Sequence, residues 1–345
     1  SCRPTRAATL ITSKHPSVPP CQSLSSTDRP MKHRILQQGR LTPYLEQALA
    51  DAYDMHLLAN EADPAAFLKT HGAEFVGLAT SARFGADQAL MQALPKLKVI
   101  SSFGVGYETF DLAYAKRRGI PIGYTPDVLN DCVADTAFGL LMDVARGFSA
   151  SDRFVRRGDW LESQFPLSTR ISNKRLGIVG LGRIGRVVAK RASGFDMEIR
   201  YHNRNKLSDV PYAYEATLTG LADWADFLVV ISAGGPATKG LISAEVLKAL
   251  GPKGFMVNVS RGSVVDEQAL LAALQTKGIA GAGLDVYQDE PKVPEAFFQL
   301  DNVVLLPHVA SATHETRRAM ADCVLDNFAG FFATGTVPVA VPDKA

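Results

Sequence analysis

The chain has no long hydrophobic run, no paired cysteines and no excess of either charge, and each absence removes a class of function. None of its apolar runs approaches the roughly 20 residues of a membrane-spanning helix, so no membrane association is expected. The four cysteines, Cys2, Cys21, Cys132 and Cys323, are scattered and form no CxxC pair. That usage argues against a disulfide framework and a structural zinc; a reduced, cytoplasmic setting and no metal are expected. Lys and Arg number 37 against 35 Asp and Glu, a formal net charge of +2. Such balance argues against nucleic acid or another polyanion as the main partner. What is present is length and apolar mass: 345 residues, 46% hydrophobic, suffice for two buried cores rather than one.

Residues 1–30 are set apart by composition. They hold five prolines, six serines, four basic residues (Arg3, Arg6, Lys14, Arg29) and one acid, Asp28, ahead of a strand-like segment beginning at Met31. A stretch so poor in apolar side chains buries too little to order itself. An Arg- and Ser-rich, acid-poor leader fits a targeting peptide, but an upstream-initiated or vector-derived tail is the preferred expectation.

Beyond it, short apolar runs alternate with helical patterns. Strands are expected at Arg34 to Leu36, Met55 to Leu58, Phe75 to Ala79, Val99 to Ser102 and Ile120 to Gly123, with helices at Pro64 to Lys69, Ala86 to Leu94 and Asp111 to Arg118 between them. A further helix opens at Pro43, with Thr42 as its cap. A long helical pattern follows from Asp131 to about Arg157, with Asp127 and Asn130 at the capping positions, Gly139 and Gly147 as possible breaks, and Trp160 beyond. The remainder reads as strands again at Phe227 to Ile231, Gly254 to Val259, Ile279 to Leu284 and Val303 to Leu306, and then a helix, Glu315 to Phe331, that is expected to return to the first unit. Strands alternating with helices imply βαβ units. The predicted fold is therefore α/β, two doubly wound parallel-sheet domains, 31–127 with 309–345 and 128–308, and a cleft between them.

The stretch from Lys174 to Arg204 carries the most specific signal. An apolar run, Leu176-Gly177-Ile178-Val179, meets Gly180, Gly182 and Gly185, then a helical segment, then Glu198-Ile199-Arg200-Tyr201-His202-Asn203-Arg204. This is the layout of a strand, a phosphate-binding turn, a helix and a parallel strand. Gly180 permits the turn, Gly182 leaves room for a pyrophosphate, Gly185 lets the helix pack closely, and the helix N-terminus offers free N–H groups. Arg183 and Ile184, inside the turn, are expected to touch the dinucleotide with the three glycines.

Three polar residues stand where strands of this second unit end: Arg261 after Phe255 to Ser260, Glu290 after Ala282 to Val286, and His308 after Val303 to Pro307. In an open parallel sheet the crevice lies at the carboxyl ends of the strands, so all three point to one place. Beside a nicotinamide they suit a reaction on an anionic carbonyl compound. A guanidinium grips a carboxylate bidentately and cannot lose its proton. An imidazole titrates near neutrality and passes a proton to the carbonyl oxygen, and a carboxylate on its far nitrogen fixes its orientation. Singly, each has a bland reading: a turn, an acidic loop, a structural histidine. Ser260 is counted among the cofactor contacts. Asp285 either caps a turn or bonds the nicotinamide amide, and the second is preferred.

Taken together, Ser102-Phe103-Gly104-Val105-Gly106-Tyr107-Glu108, Thr125-Pro126-Asp127-Val128-Leu129, the glycine turn, Asn258-Val259-Ser260-Arg261-Gly262, Ala282-Gly283-Leu284-Asp285-Val286 and Leu306-Pro307-His308-Val309 resemble the D-isomer-specific 2-hydroxyacid dehydrogenases. Among these the NADP-dependent glyoxylate/hydroxypyruvate reductases are most similar. The resemblance implies a flavodoxin-like substrate domain beside a Rossmann domain, Arg261, Glu290 and His308 as the catalytic set, and the backbone N–H groups of Val105 and Gly106 as a second clamp on the substrate carboxylate. It also implies a homodimer built on the arm after Asp131, with Trp160 reaching toward the partner's site. Where a carboxylate would mark NAD, some 20 residues past the glycines, the chain has Asn203 and Arg204 with Lys206 beyond, so NADPH is expected over NADH. The expected activity is reduction of glyoxylate or hydroxypyruvate to the D-2-hydroxy acid. Formate dehydrogenases carry Gln where Glu290 stands and are disfavoured. Dinucleotide-sensing corepressors of the same fold are the alternative from another class.

Overall fold

Apolar runs bounded by Gly, Pro or Asp become strands of two parallel sheets in the computed structural model, which describes residues 31–342. The leader expected over 1–30 lies outside the described residues. The first sheet is built from β1 (Arg34–Gln37), α1 (Pro43–Ala52), β2 (Asp54–Leu57), α2 (Pro64–His71), β3 (Gly77–Ser81), α3 (Gln88–Ala93), β4 (Val99–Phe103), α4 (Leu112–Arg117) and β5 (Ile122–Gly123). Its order is β2-β1-β3-β4-β5, parallel throughout, the doubly wound arrangement whose order reverses beside β1. Every residue of β4 is buried, as a strand covered on both faces must be.

Local chemistry explains where these helices begin. Asp63, Asp87 and Asp111 accept from the Ala66, Leu90 and Tyr114 amides at 3.0, 2.8 and 2.8 Å, bonds of the kind worth about 1 kcal/mol each. At α1 the expectation needs correcting: Thr42 holds the cap position but its side chain caps nothing. Glu46, one turn into the helix, accepts from the Leu41 amide at 2.9 Å instead.

The long helical pattern divides into α5 (Asn130–Arg146) and α6 (Phe148–Arg156) at Gly147, which takes a left-handed conformation (φ 67°) and caps α5. Gly139 does not break α5. Neither Asp127 nor Asn130 acts as the expected cap, because Leu129 holds that position, Asn130 is already helical, and the Asp127 carboxylate meets the Asn130 side chain and Arg183, at 3.3 and 3.1 Å, rather than a backbone amide.

The second sheet contains β6 (Arg175–Val179), α7 (Arg183–Ser193), β7 (Glu198–His202), β8 (Ala213–Tyr214), α8 (Leu218–Trp224), β9 (Phe227–Val230), α9 (Ala244–Leu250), β10 (Phe255–Asn258), α10 (Glu267–Gln275), β11 (Gly281–Leu284) and β12 (Val303–Leu305). Its order is β12-β11-β10-β9-β6-β7-β8, again all parallel. The last helix, α11 (His314–Thr334), is capped by Thr313 and packs on β4 and α1 of the first layer. There the fully buried Asn327 donates to the Tyr124 carbonyl at 3.3 Å and accepts from the Val339 amide at 3.1 Å. Helix α5 packs on α7, β10 and β11. One apolar core runs from Ile35 and Phe328 through Leu141 to Phe255. No helix among the described residues is long and apolar enough to cross a membrane.

Candidate active site

The turn between β6 and α7 is made of backbone. Gly180 has φ 99°, and a Cβ there would lie 2.8 Å from the Ser232 main chain, so the turn admits only glycine. A Cβ on Gly185 would sit 2.5 Å from the Gly180 carbonyl oxygen, whereas one on Gly182 would meet nothing within 4 Å. The close packing permitted by Gly185 is thus against the turn itself, and the room above Gly182 is open. Helix α7 has no acid in its first turn. Its leading N–H groups, those of Arg183, Ile184 and Gly185, therefore face outward with a favourable dipole for phosphate. These features fit a dinucleotide, which when bound supplies the hydride.

Strand ends of both sheets line one cleft of about 1020 Å³, and Val105, Ile184, Arg261, Asp285, Glu290 and His308 all border it. His308 donates from Nδ1 to Glu290 Oε2 at 2.7 Å, as an ionised carboxylate partner requires, leaving Nε2 for the cleft. The other Glu290 oxygen accepts from the Tyr287 amide at 3.1 Å. Burial raises the Glu290 pKa, but the bonds from His308 and Tyr287 and the charges of His308 and Arg261 outweigh it and hold the carboxyl below its ordinary range. His308 itself sits at φ 54°, a left-handed conformation that costs a non-glycine residue about 1 kcal/mol or more. Asp285 holds it there. Fully buried, Asp285 accepts from the Val309 and Ala310 amides at 2.7 and 2.9 Å, while its carbonyl accepts from the His308 amide at 2.9 Å. Burial pushes the Asp285 carboxyl up. The bonds described are those of a turn-capping residue, the reading the sequence analysis ranked second.

Arg261 stands on a turn braced by Asn258, a residue that the sequence places in a motif without a role of its own. The Asn258 side chain accepts from the Ser260 amide and hydroxyl at 3.0 and 2.8 Å and donates to the Arg261 carbonyl at 3.1 Å. Its signal was an amide side chain inside the apolar run Phe255 to Val259. The amides of Val105 and Gly106 donate to no acceptor among the described residues, as an anion-binding pair of N–H groups would. Arg317, in the first turns of α11, adds a further cleft cation above the Phe103 ring at 5.5 Å, and burial lowers its pKa.

At the end of β7 the Asn203 side chain accepts from the Leu181 amide at 2.7 Å, bracing the glycine turn. Arg204 and Lys206 beyond it are exposed, and among the described residues no acid pairs with either. The carboxylates nearest in sequence are engaged elsewhere, Asp209 by Arg186 and Glu198 by Arg200.

A dinucleotide turn on one sheet edge and an Arg, His and Glu set beside it define a nicotinamide-dependent oxidoreductase. Residues 138–310 match the model of the D-isomer specific 2-hydroxyacid dehydrogenase, NAD binding domain. The hydroxyphenylpyruvate reductase of Plectranthus scutellarioides is 43% identical over 87% of this chain and 96% of its own length. A glyoxylate/hydroxypyruvate reductase A of Arabidopsis thaliana is 42% identical over the same shares. Among solved structures, an NADPH-dependent glyoxylate/hydroxypyruvate reductase of Sinorhizobium meliloti, crystallised with NADP and malonate, superposes with a TM-score of 0.85 at 43% identity, covering 90% of this chain and 97% of that one. The chain belongs to the D-isomer-specific 2-hydroxyacid dehydrogenase family, oxidoreductases acting on CH–OH groups.

Proposed function

We propose that the protein reduces small 2-keto acids, glyoxylate and hydroxypyruvate, to D-2-hydroxy acids with NADPH. The observation that carries this reading is the His308–Glu290 pair at 2.7 Å bordering the same cleft as Arg261. Arg261 and the free amides of Val105 and Gly106 hold the substrate carboxylate, and Arg261 polarises the adjacent carbonyl. His308 gives its Nε2 proton to the carbonyl oxygen as the alcohol forms and recovers one in the reverse direction, while Glu290 keeps the ring oriented and favours its charged form. The lobe of 31–127 with 309–345 binds substrate; that of 128–308 binds the cofactor through Gly180, Gly182, Arg183, Ile184, Gly185, Asn203, Ser260 and Asp285. Arg204, unpaired and exposed, takes the 2′-phosphate.

Loss of NADPH absorbance with a panel of 2-keto acids, run in parallel with NADH, tests this. Turnover of glyoxylate or hydroxypyruvate with NADPH is expected; none with any 2-keto acid would favour the dinucleotide-sensing alternative. The named relatives include reductases of both a small and an aromatic 2-keto acid, so the panel spans both. The arm after α5 supports a homodimer: α6 buries none of its residues, and Trp160 is 62% and Leu161 89% exposed. Sedimentation of the purified chain at twice the monomer mass is expected.

A further inference from the structure

The carboxylate clamp comes from two sheets, and something must hold its halves in register. Val105 and Gly106 follow β4, whereas Arg261 follows β10. Glu108, two residues past Gly106, reaches across and accepts a hydrogen bond from Arg261 Nε. Both side chains are mostly covered, 24% and 30% exposed. The guanidinium has five N–H donors. Nε is taken by Glu108 and one proton of Nη1 by the Ser260 carbonyl at 2.8 Å. The rest of the fork, including both protons of Nη2, stays free, and Nη2 lies against Gly106. A Cβ on Gly106 would fall 2.0 Å from Arg261 Nη2 and 2.6 Å from Glu108 Oε2. One on Gly234 would fall 2.8 Å from Arg261 Cγ and 3.3 Å from Glu108 Oε1. Two glycines, one from each layer, make the room in which this pair sits.

We propose that Glu108 is the positioning residue of the clamp. It grips Arg261 by the Nε edge, which a carboxylate ligand does not need, and so turns the Nη edge toward the two free amides. Joining the segment that carries those amides to the guanidinium fixes the spacing of both halves before substrate arrives, and orientation provided in advance is not lost on binding. The inference rests on reading Arg261 as a carboxylate clamp. It goes beyond that reading by assigning the aim of Arg261 to a residue of the opposite sheet. Because Glu108 acts through Arg261, its removal weakens carboxylate binding and leaves cofactor binding alone.

The test measures calorimetric binding of malonate to the NADP-saturated protein, alongside KM and kcat for hydroxypyruvate and the NADPH dissociation constant. In Glu108→Ala, malonate affinity falls and KM rises by about tenfold or more, as when one partner of a close charge pair is removed. The drop in kcat is smaller, and NADPH affinity is unchanged. Glu108→Gln, which keeps size and one acceptor oxygen, lies between, and serves if the alanine variant fails to fold. On an Arg261→Gln background the same substitution adds less than about twofold, since coupled residues are not additive. Malonate binding in Glu108→Ala equal to or tighter than wild type overturns the proposal, the latter by making Glu108 a competitor for Arg261. A full effect persisting without Arg261 also overturns it, by making Glu108 merely structural. Glu108-dependent malonate binding by a protein that turns over no 2-keto acid upholds the positioning role and refutes the proposed function.

Discussion

The turn after β6 and the strand ends after β10 and β12 lie along one edge of the same sheet, yet they are built from opposite materials. The turn is main chain: Gly180 in a conformation closed to other residues, Gly185 pressed on the Gly180 carbonyl, and a helix start with no acidic side chain. The strand ends are side chains, and each is held by a buried polar residue that does no chemistry: Asn258 under Arg261, Asp285 under His308. The main-chain site tolerates no added atom at Gly180 or Gly185, and a side-chain site tolerates no lost brace. Their failures therefore look different, one losing cofactor and stability together, the other losing rate.

The largest effect that separates them is at His308. His308→Ala is expected to lower kcat by about 10²–10⁴-fold, the range for a lost general acid, with NADPH affinity unchanged by fluorescence titration. Wild-type turnover would mean that another group delivers the proton. Gly180→Ala places a Cβ 2.8 Å from the Ser232 main chain at φ 99°. A clash with backbone has no cheap relief, so a stability loss of about 1–3 kcal/mol is expected in denaturant unfolding, together with weaker NADPH binding. Retained stability and affinity would show that the turn relaxes.

Smaller shifts sharpen the contrast. Arg204→Ala should lower the NADPH-to-NADH ratio of kcat/KM by about tenfold, one exposed charge-assisted contact, without touching NADH efficiency. An unchanged ratio would remove Arg204 from cofactor choice. The smallest effect is on stability against pH. Glu290 has a depressed pKa in the folded protein. Its contribution is therefore present above the unfolded carboxylate pKa and lost as pH falls through the folded one. The stability gap between wild type and Glu290→Gln should be steady near neutrality and shrink on acidification; a gap that widened in acid would contradict the sign.

What was legible from the residues follows the same division. The glycine spacing and the strand-end positions of Arg261, Glu290 and His308 were readable because turns and strand ends are local events, written in adjacent residues. The braces were not. Asn258 read only as part of a motif, and the bracing role of Asp285 was hidden, since nothing in sequence shows that a carboxylate at 285 accepts from the amides at 309 and 310. Thr42, Asp127 and Asn130 stood where caps belong, but Glu46 satisfied the Leu41 amide, and Arg183 and the Asn130 side chain engaged the Asp127 carboxylate. Those outcomes depend on partners that only packing brings near.

By itself, then, the sequence determined the alternation of strands and helices, the dinucleotide turn and the strand-end positions of Arg261, Glu290 and His308, because periodicity, glycine and residue chemistry act over a few neighbours. Only the tertiary structure decided that two sheets face one cleft, that His308 meets Glu290, and that Glu108, 153 residues away in the chain, aims Arg261. These are long-range contacts, set by how α5 and α11 pack the layers together, and packing is a property of the whole chain.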